Sequence, residues 1–222
     1  MEVPELWIIA GPNGAGKTTF SGATEFRAKL DGVRFFNPDE LTLALLRKQG
    51  YASFATAPQD VLRATNIRAA EEVFKVLTQS VVSGEHVGVE TVLSTDKYKP
   101  LVERVRELRG RFYLIYVSLA SPALSLERVR RRVSMGGHDV PAEKLGERWQ
   151  RSLDNLTWFA READDFWVFD NSDSNRTAPL LLAHGWREDS GKLRIELHHA
   201  EFGSPASARL LELGPDARIT VV

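Results

Sequence analysis

The chain contains no cysteine, which excludes disulfides and thiolate zinc sites and is compatible with a reducing compartment. Nor is there an excess of either charge, since 29 basic and 30 acidic side chains leave a formal net charge of -1. Without a global field to hold nucleic acid or an anionic membrane, any phosphate binding has to be local. Long apolar runs are missing too. The N-terminal MEVPELWIIAG has acidic flanks and too short an apolar stretch for a signal peptide or a membrane span, so a soluble, cytoplasmic protein is expected, with neither membrane nor nucleic acid as its partner. No internal repeat or low-complexity tract interrupts the chain.

What is present is enough apolar material for one sizeable core, 43% of 222 residues. Short apolar runs alternate with longer stretches of helical period, the pattern of an α/β sheet with crossover helices. The runs LWIIA, VRFFN, HVGVE, FYLIYVSLA and DFWVFD read as five mainly parallel strands. Between them, Leu62, Thr65, Ala69, Val73 and Val76 share one helical face, as do Leu145, Trp149, Leu153 and Leu156. Asn37 with Pro38, Ser121 with Pro122, and Pro58 mark helix starts. After about residue 175 the character changes to a hairpin-rich tail with a turn at Asp189 to Gly191. The expected layout is a nucleotide-binding domain over residues 1–175 and a β-rich extension over 176–222 packed on it.

Directly behind LWIIA stands GPNGAGKTT, matching G-x-x-x-x-G-K-[ST] at every fixed position. Gly11, Gly14 and Gly16 let backbone N–H groups turn inward, with Pro12, Asn13 and Ala15 completing the loop. Lys17 reaches the β- and γ-phosphate oxygens, Thr18 ligates Mg²⁺, and Thr19 continues into a helix whose N-terminus adds positive potential. This predicts a P-loop NTPase with a three-layer α/β/α architecture that binds a nucleoside triphosphate.

Three further segments carry candidate chemistry. In NPDE, Asn37 and Glu40 have the spacing of a capping box, whereas Asp39 falls at the carboxyl end of a strand expected beside the P-loop strand, where a carboxylate can take the proton of an attacking hydroxyl. Plain helix capping is the alternative for Asp39. Glu90 ends the third strand, next to Thr91, and suits a hydrogen bond to acceptor hydroxyls or a water-mediated contact with Mg²⁺; a solvent-facing strand end is the bland alternative. Basic residues gather in a helical lid at about residues 124–150. Arg128 and Arg132 share one face there, with Arg148 and Arg151 similarly related on the next helix, and GGH between them. Arginines closing over ATP supply the cations that phosphoryl transfer needs, for which Arg132 and Arg148 are the candidates. Arg130 and Arg131 read as a solvated face, and His138 as a contact to phosphate or sugar or a packed side chain.

The GPNGAGKTTF loop, the NPDE turn, the VETVLS strand end, the RVRRRVSMGGHDVP lid and the ERWQRSLDNL helix occur in the order found in the zeta toxin family of P-loop kinases, and the chain resembles the family's short members. The resemblance implies ATP- or GTP-dependent phosphorylation of the 3'-hydroxyl of the amino sugar in UDP-N-acetylglucosamine. It implies Lys17 and Thr18 on triphosphate and Mg²⁺, Asp39 as base, Glu90 and Thr91 on the sugar nucleotide together with Arg128 and His138, and Arg132 and Arg148 on the transferred charge. It also puts Asp170 to Ser172 near the nucleotide base and implies an antitoxin, expected as a separate chain. The loop alone leaves open other acceptors (a nucleoside, a dinucleotide, an antibiotic or an RNA end), an ATPase, and a nucleotide-binding regulator. Against a transporter-type ATPase, there is no LSGGQ-like segment and no apolar strand ending in Asp-Glu.

Overall fold

A computed structural model describes residues 3–21, 26, 28–135, 140–199 and 203–222. The strands are β1 (Glu5–Ala10), β2 (Arg34–Phe36), β3 (His86–Thr91), β4 (Arg111–Ser118), β5 (Asp165–Asp170), β6 (Leu180–Arg187), β7 (Leu193–Leu197) and β8 (Ala217–Val221). The α-helices are α1 (Lys17–Ser21), α2 (Pro38–Lys48), α3 (Gln59–Val82), α4 (Lys99–Glu107), α5 (Pro122–Ser134), α6 (Ala142–Glu162) and α7 (Pro205–Leu211).

All eight strands lie in one sheet of order β2-β3-β1-β4-β5-β6-β7-β8. The first five are parallel, as their near-continuous apolar runs suggest for strands buried on both faces. Along β1, Leu6, Ile8 and Ala10 join the core under α3, α4, α6 and α7, while Trp7 and Ile9 join a second core with Phe20 and Phe26. This alternation is the period of two that a central strand requires.

The expected sheet of five strands is corrected to eight. β6 pairs antiparallel to β5, β7 forms a hairpin with β6 around the turn at Gly191, and β8 returns through α7 to pair parallel with β7. The tail thus continues the sheet: the apolar alternation of ARITV matches an edge strand, and the helix that makes its parallel return possible is only seven residues long. A second correction concerns β2, which is separated from β1 by β3. Glu90, not Asp39, therefore ends the strand adjoining the P-loop strand, with Ile9 and Glu90 in register.

Candidate active site

The loop between β1 and α1 has three glycines at positive φ: Gly11 at 142°, Gly14 at 76° and Gly16 at 84°. Close approach excludes side chains as well. A Cβ on Gly11 would lie 2.1 Å from the Val117 carbonyl oxygen of β4, and one on Gly16 would lie 2.7 Å from the Asn171 amide nitrogen. Two carbonyls of the loop are held from outside. Ser125 Oγ of α5, fully buried, donates to Asn13 O at 2.7 Å, and Asn171 Nδ2 donates to Ala15 O at 2.8 Å. Fixing carbonyls outward frees the neighbouring N–H groups to face an anion.

Lys17 is buried, its Nζ donating to Gly11 O at 2.9 Å and Pro12 O at 3.1 Å. Burial pushes its ammonium down to about 8; the charges of Glu90 and Asp39 oppose the shift and Arg132 adds to it. Thr18 and Thr19 both stand exposed on the first turn of α1. Thr18 Oγ1 donates to the Glu90 carboxylate, 2.9 Å from Oε1 and 3.0 Å from Oε2. Burial raises the Glu90 pKa, countered by Lys17 and the Thr18 hydroxyl and reinforced by Asp39 and Glu40. A glycine cradle, a cation at its floor, and a hydroxyl beside a carboxylate fit a triphosphate with a hard, oxygen-seeking cation such as Mg²⁺.

Asp39 is exposed in the first turn of α2, where its N–H donates to Asn37 Oδ1 at 2.9 Å. Asn37 is therefore the helix cap, as its position before Pro38 suggests. Glu40, read as the other half of a capping box, instead lines a cleft of about 240 Å³ with Ile9, Thr18, Phe35, Phe36, Asn37 and Glu90. Thr91 turns away to local structure, accepting from Leu93 N at 3.2 Å and bonding Tyr98, whose hydroxyl burial pushes up to about 12.

In the lid, Arg132 is close enough to Lys17 to perturb it. Arg128 stands elsewhere: its Nη2 donates to Ser172 O at 3.3 Å, and its Cβ abuts Gly14. Ser172 Oγ in turn accepts from Ala120 N at 2.8 Å and donates to Asp170 Oδ2 at 3.0 Å, so Asp170 to Ser172 form a turn that buttresses the P-loop. Arg148 is half-buried on α6, one residue before Trp149, whose indole donates to Leu119 O at 3.1 Å. Arg151 pairs with Glu147 at 3.4 Å. Further along α6, Ser152 Oγ donates to Val92 O at 2.6 Å and Asn155 Nδ2 to Leu93 O at 2.9 Å, fixing the exit of the strand that carries Glu90. Gly136, Gly137 and His138 lie outside the described residues.

Sequence reasoning missed Ser125, Phe35 and Phe36, and singled out Asn171 only as part of a turn near the nucleotide base, not as a support of the loop carbonyl at Ala15. The signals were faint: a serine on the apolar side of an arginine-rich helix, and a polar DNS turn behind a buried strand.

The Zeta toxin family model matches residues 1–178. The chain belongs to the Zeta toxin family. This family member also aligns with the structure of the PezAT chromosomal toxin–antitoxin system of Streptococcus pneumoniae, at 18% identity and a TM-score of 0.57, over 76% of this chain and 69% of that one. The AvrRxo1-ORF1:AvrRxo1-ORF2 structure with sulphate ions aligns at 15% identity and a TM-score of 0.66, over 97% of this chain and 77% of that one. An AvrRxo1 complex with ATP aligns similarly, with a TM-score of 0.65 at 15% identity over 98% and 77%. No curated protein matches the chain. At these identities the structures share the fold, and the family is one of P-loop kinases, which are phosphotransferases that bind a nucleoside triphosphate. Among the described residues no helix is long and apolar enough to cross a membrane.

Proposed function

We propose that the protein transfers the γ-phosphoryl group of ATP, with Mg²⁺, to a hydroxyl of a small molecule seated in the Glu40–Glu90 cleft. The carrying observation is that Thr18, at the end of the phosphate loop, and Glu90 together form one wall of an open cleft. Mg²⁺ would be held beside Thr18, and its chemistry is to neutralise charge on the phosphates. Lys17 holds the same oxygens, and Arg132 and Arg148 offset charge as the bond to the leaving oxygen lengthens. Asp39 accepts the acceptor's proton while the hydroxyl oxygen bonds to the γ-phosphorus, and ADP departs with the electron pair of the broken β–γ bridge. Glu90 holds an acceptor hydroxyl or a water on the metal. Arg128, through Ser172 and Gly14, serves the nucleotide side of the site.

Family membership supports the 3'-hydroxyl of UDP-N-acetylglucosamine as acceptor, and the toxin–antitoxin system named for the pneumococcal structure supports a separate antitoxin chain as partner. A second reading is favoured by the cleft itself. Its described lining carries Glu40 and Glu90 and no lysine or arginine, a poor surface for a diphosphate and a better one for an uncharged acceptor such as a nucleoside or an antibiotic.

The test is ATP turnover with Mg²⁺ across UDP-sugars, nucleosides, dinucleotides, antibiotics and RNA ends, product masses being read by mass spectrometry. One acceptor gaining a single phosphate, with Asp39→Asn slower by at least about a hundredfold, is the expected result. Hydrolysis that proceeds equally without every acceptor would move the protein to the ATPases.

A further inference from the structure

The chain leaves β3 through a turn that the sheet does not hold. β3 pairs with β1 only as far as Ala10 and Thr91 in register, and two residues later Leu93 adopts a φ of 59°. Among the described residues three non-glycine positions have a positive φ, and the other two, Arg109 and His199, are exposed. Leu93 is 1% exposed and packs in the main core. A left-handed backbone costs a leucine free energy that a glycine would not lose, so the conformation persists only where its surroundings over-determine it.

Three side chains do so. Thr91 Oγ1 accepts from Leu93 N at 3.2 Å, Asn155 Nδ2 donates to Leu93 O at 2.9 Å, and Ser152 Oγ donates to Val92 O at 2.6 Å. The single proton of the Ser152 hydroxyl is thereby committed, so in its 3.0 Å contact with the Tyr116 hydroxyl the tyrosine is the donor. Tyr116 and Ser152 are both fully buried, and the relay from β4 through α6 to the exit of β3 is shielded from solvent.

α6 reaches both halves of the site. Near its start Leu145 clusters with Val129 and Val140 of the lid, whereas Leu153 and Leu156 seat the helix on the main core. Arg148, Ser152 and Asn155, spaced by four and three residues, share one face. Glu90 stands three residues before the strained leucine, with its carboxylate on Thr18.

We propose that Ser152 and Asn155 are positioning residues that act through Glu90: by holding Val92 and Leu93 in the strained turn, they fix the end of β3 and the aim of the Glu90 carboxylate at Thr18 and Mg²⁺. The inference rests on the kinase reading for the place of Mg²⁺ beside Thr18. Without the two donors the turn relaxes and Glu90 loses its direction, while the phosphate loop, built on β1, keeps its own.

The test is ADP binding by calorimetry as Mg²⁺ is titrated, which needs neither acceptor nor turnover. In Asn155→Leu and in Ser152→Ala, the Mg²⁺ concentration for the half-maximal change in ADP affinity should rise by about five- to tenfold. ADP affinity in EDTA should stay within about twofold of the parent, showing an intact phosphate loop that general unfolding would not spare. In a Glu90→Gln background each substitution should add less than about twofold, because the side chain through which it acts is already changed. Where one variant does not bind ADP in EDTA, the other decides; loss of that binding in both overturns the inference. So do unshifted midpoints in the folded variants, effects that multiply with Glu90→Gln, or parent binding that ignores Mg²⁺. Shifted midpoints without acceptor-dependent ATP turnover support the positioning role and overturn only the kinase reading.

Discussion

The Thr18 hydroxyl reaches both oxygens of the Glu90 carboxylate, at 2.9 and 3.0 Å, joining the first turn of α1 to the end of β3. The contact couples the phosphate loop to the neighbouring cleft, because Thr18 belongs to the loop and lines that cleft together with Glu90. Removing the charge while keeping the shape tests that coupling. Glu90→Gln should raise the Mg²⁺ concentration for half-maximal turnover by about tenfold, the size of effect seen when partners of metal ligands are changed. A Mg²⁺ titration with an unshifted midpoint would separate Glu90 from the metal.

Two residues distant in sequence hold the phosphate loop open, Ser125 at Asn13 O and Asn171 at Ala15 O. Losing either leaves a carbonyl without its side-chain donor, at about 1–2 kcal/mol. Ser125→Ala and Asn171→Ala should each raise KM for ATP by about five- to thirtyfold while kcat changes little. Steady-state kinetics with ATP varied would show this split, and an equal fall in kcat alone would contradict it.

Gly11 sits where both conformation and space forbid a side chain, with φ 142° and a phantom Cβ 2.1 Å from Val117 O. Because the clash is with backbone in the central sheet, Gly11→Ala should cost at least about 3 kcal/mol in urea unfolding. Gly32→Ala is the control. It shares a positive φ, 77°, but nothing lies within 4 Å of its Cβ position, so only the backbone strain of about 1 kcal/mol remains.

Nucleotide affinity should depend on pH through Lys17. Its pKa of about 8 without nucleotide, lowered chiefly by burial, means that the ammonium is charged below pH 8 and neutral above it. Phosphate oxygens favour the charged form, so binding raises this pKa and takes up a proton once the free protein has lost it. ADP affinity measured by calorimetry without Mg²⁺ should be flat below pH 8 and fall above it, by up to about tenfold per pH unit. Lys17→Met should bind weakly with no such slope.

Much of the site is written in contiguous sequence. The phosphate loop is legible because its chemistry belongs to successive backbone N–H groups, whose geometry Gly11, Gly14 and Gly16 set locally. The caps at Asn37 and Ser121 are legible for the same reason, each acting within three residues of itself. The parallel strands announce themselves through unbroken apolar runs. Tertiary structure alone decided which carboxylate adjoins the loop: sheet order sets β3, not β2, against β1 and brings Glu90 to Thr18 across 72 residues. It also recruited Ser125 and Asn171, which lie 112 and 156 residues from the carbonyls they hold, and carried the tail into the same sheet as β6 to β8. A polar side chain that serves a distant carbonyl carries no periodic or local signature, because the free energy of its hydrogen bond depends on where two elements meet and not on its neighbours in the chain.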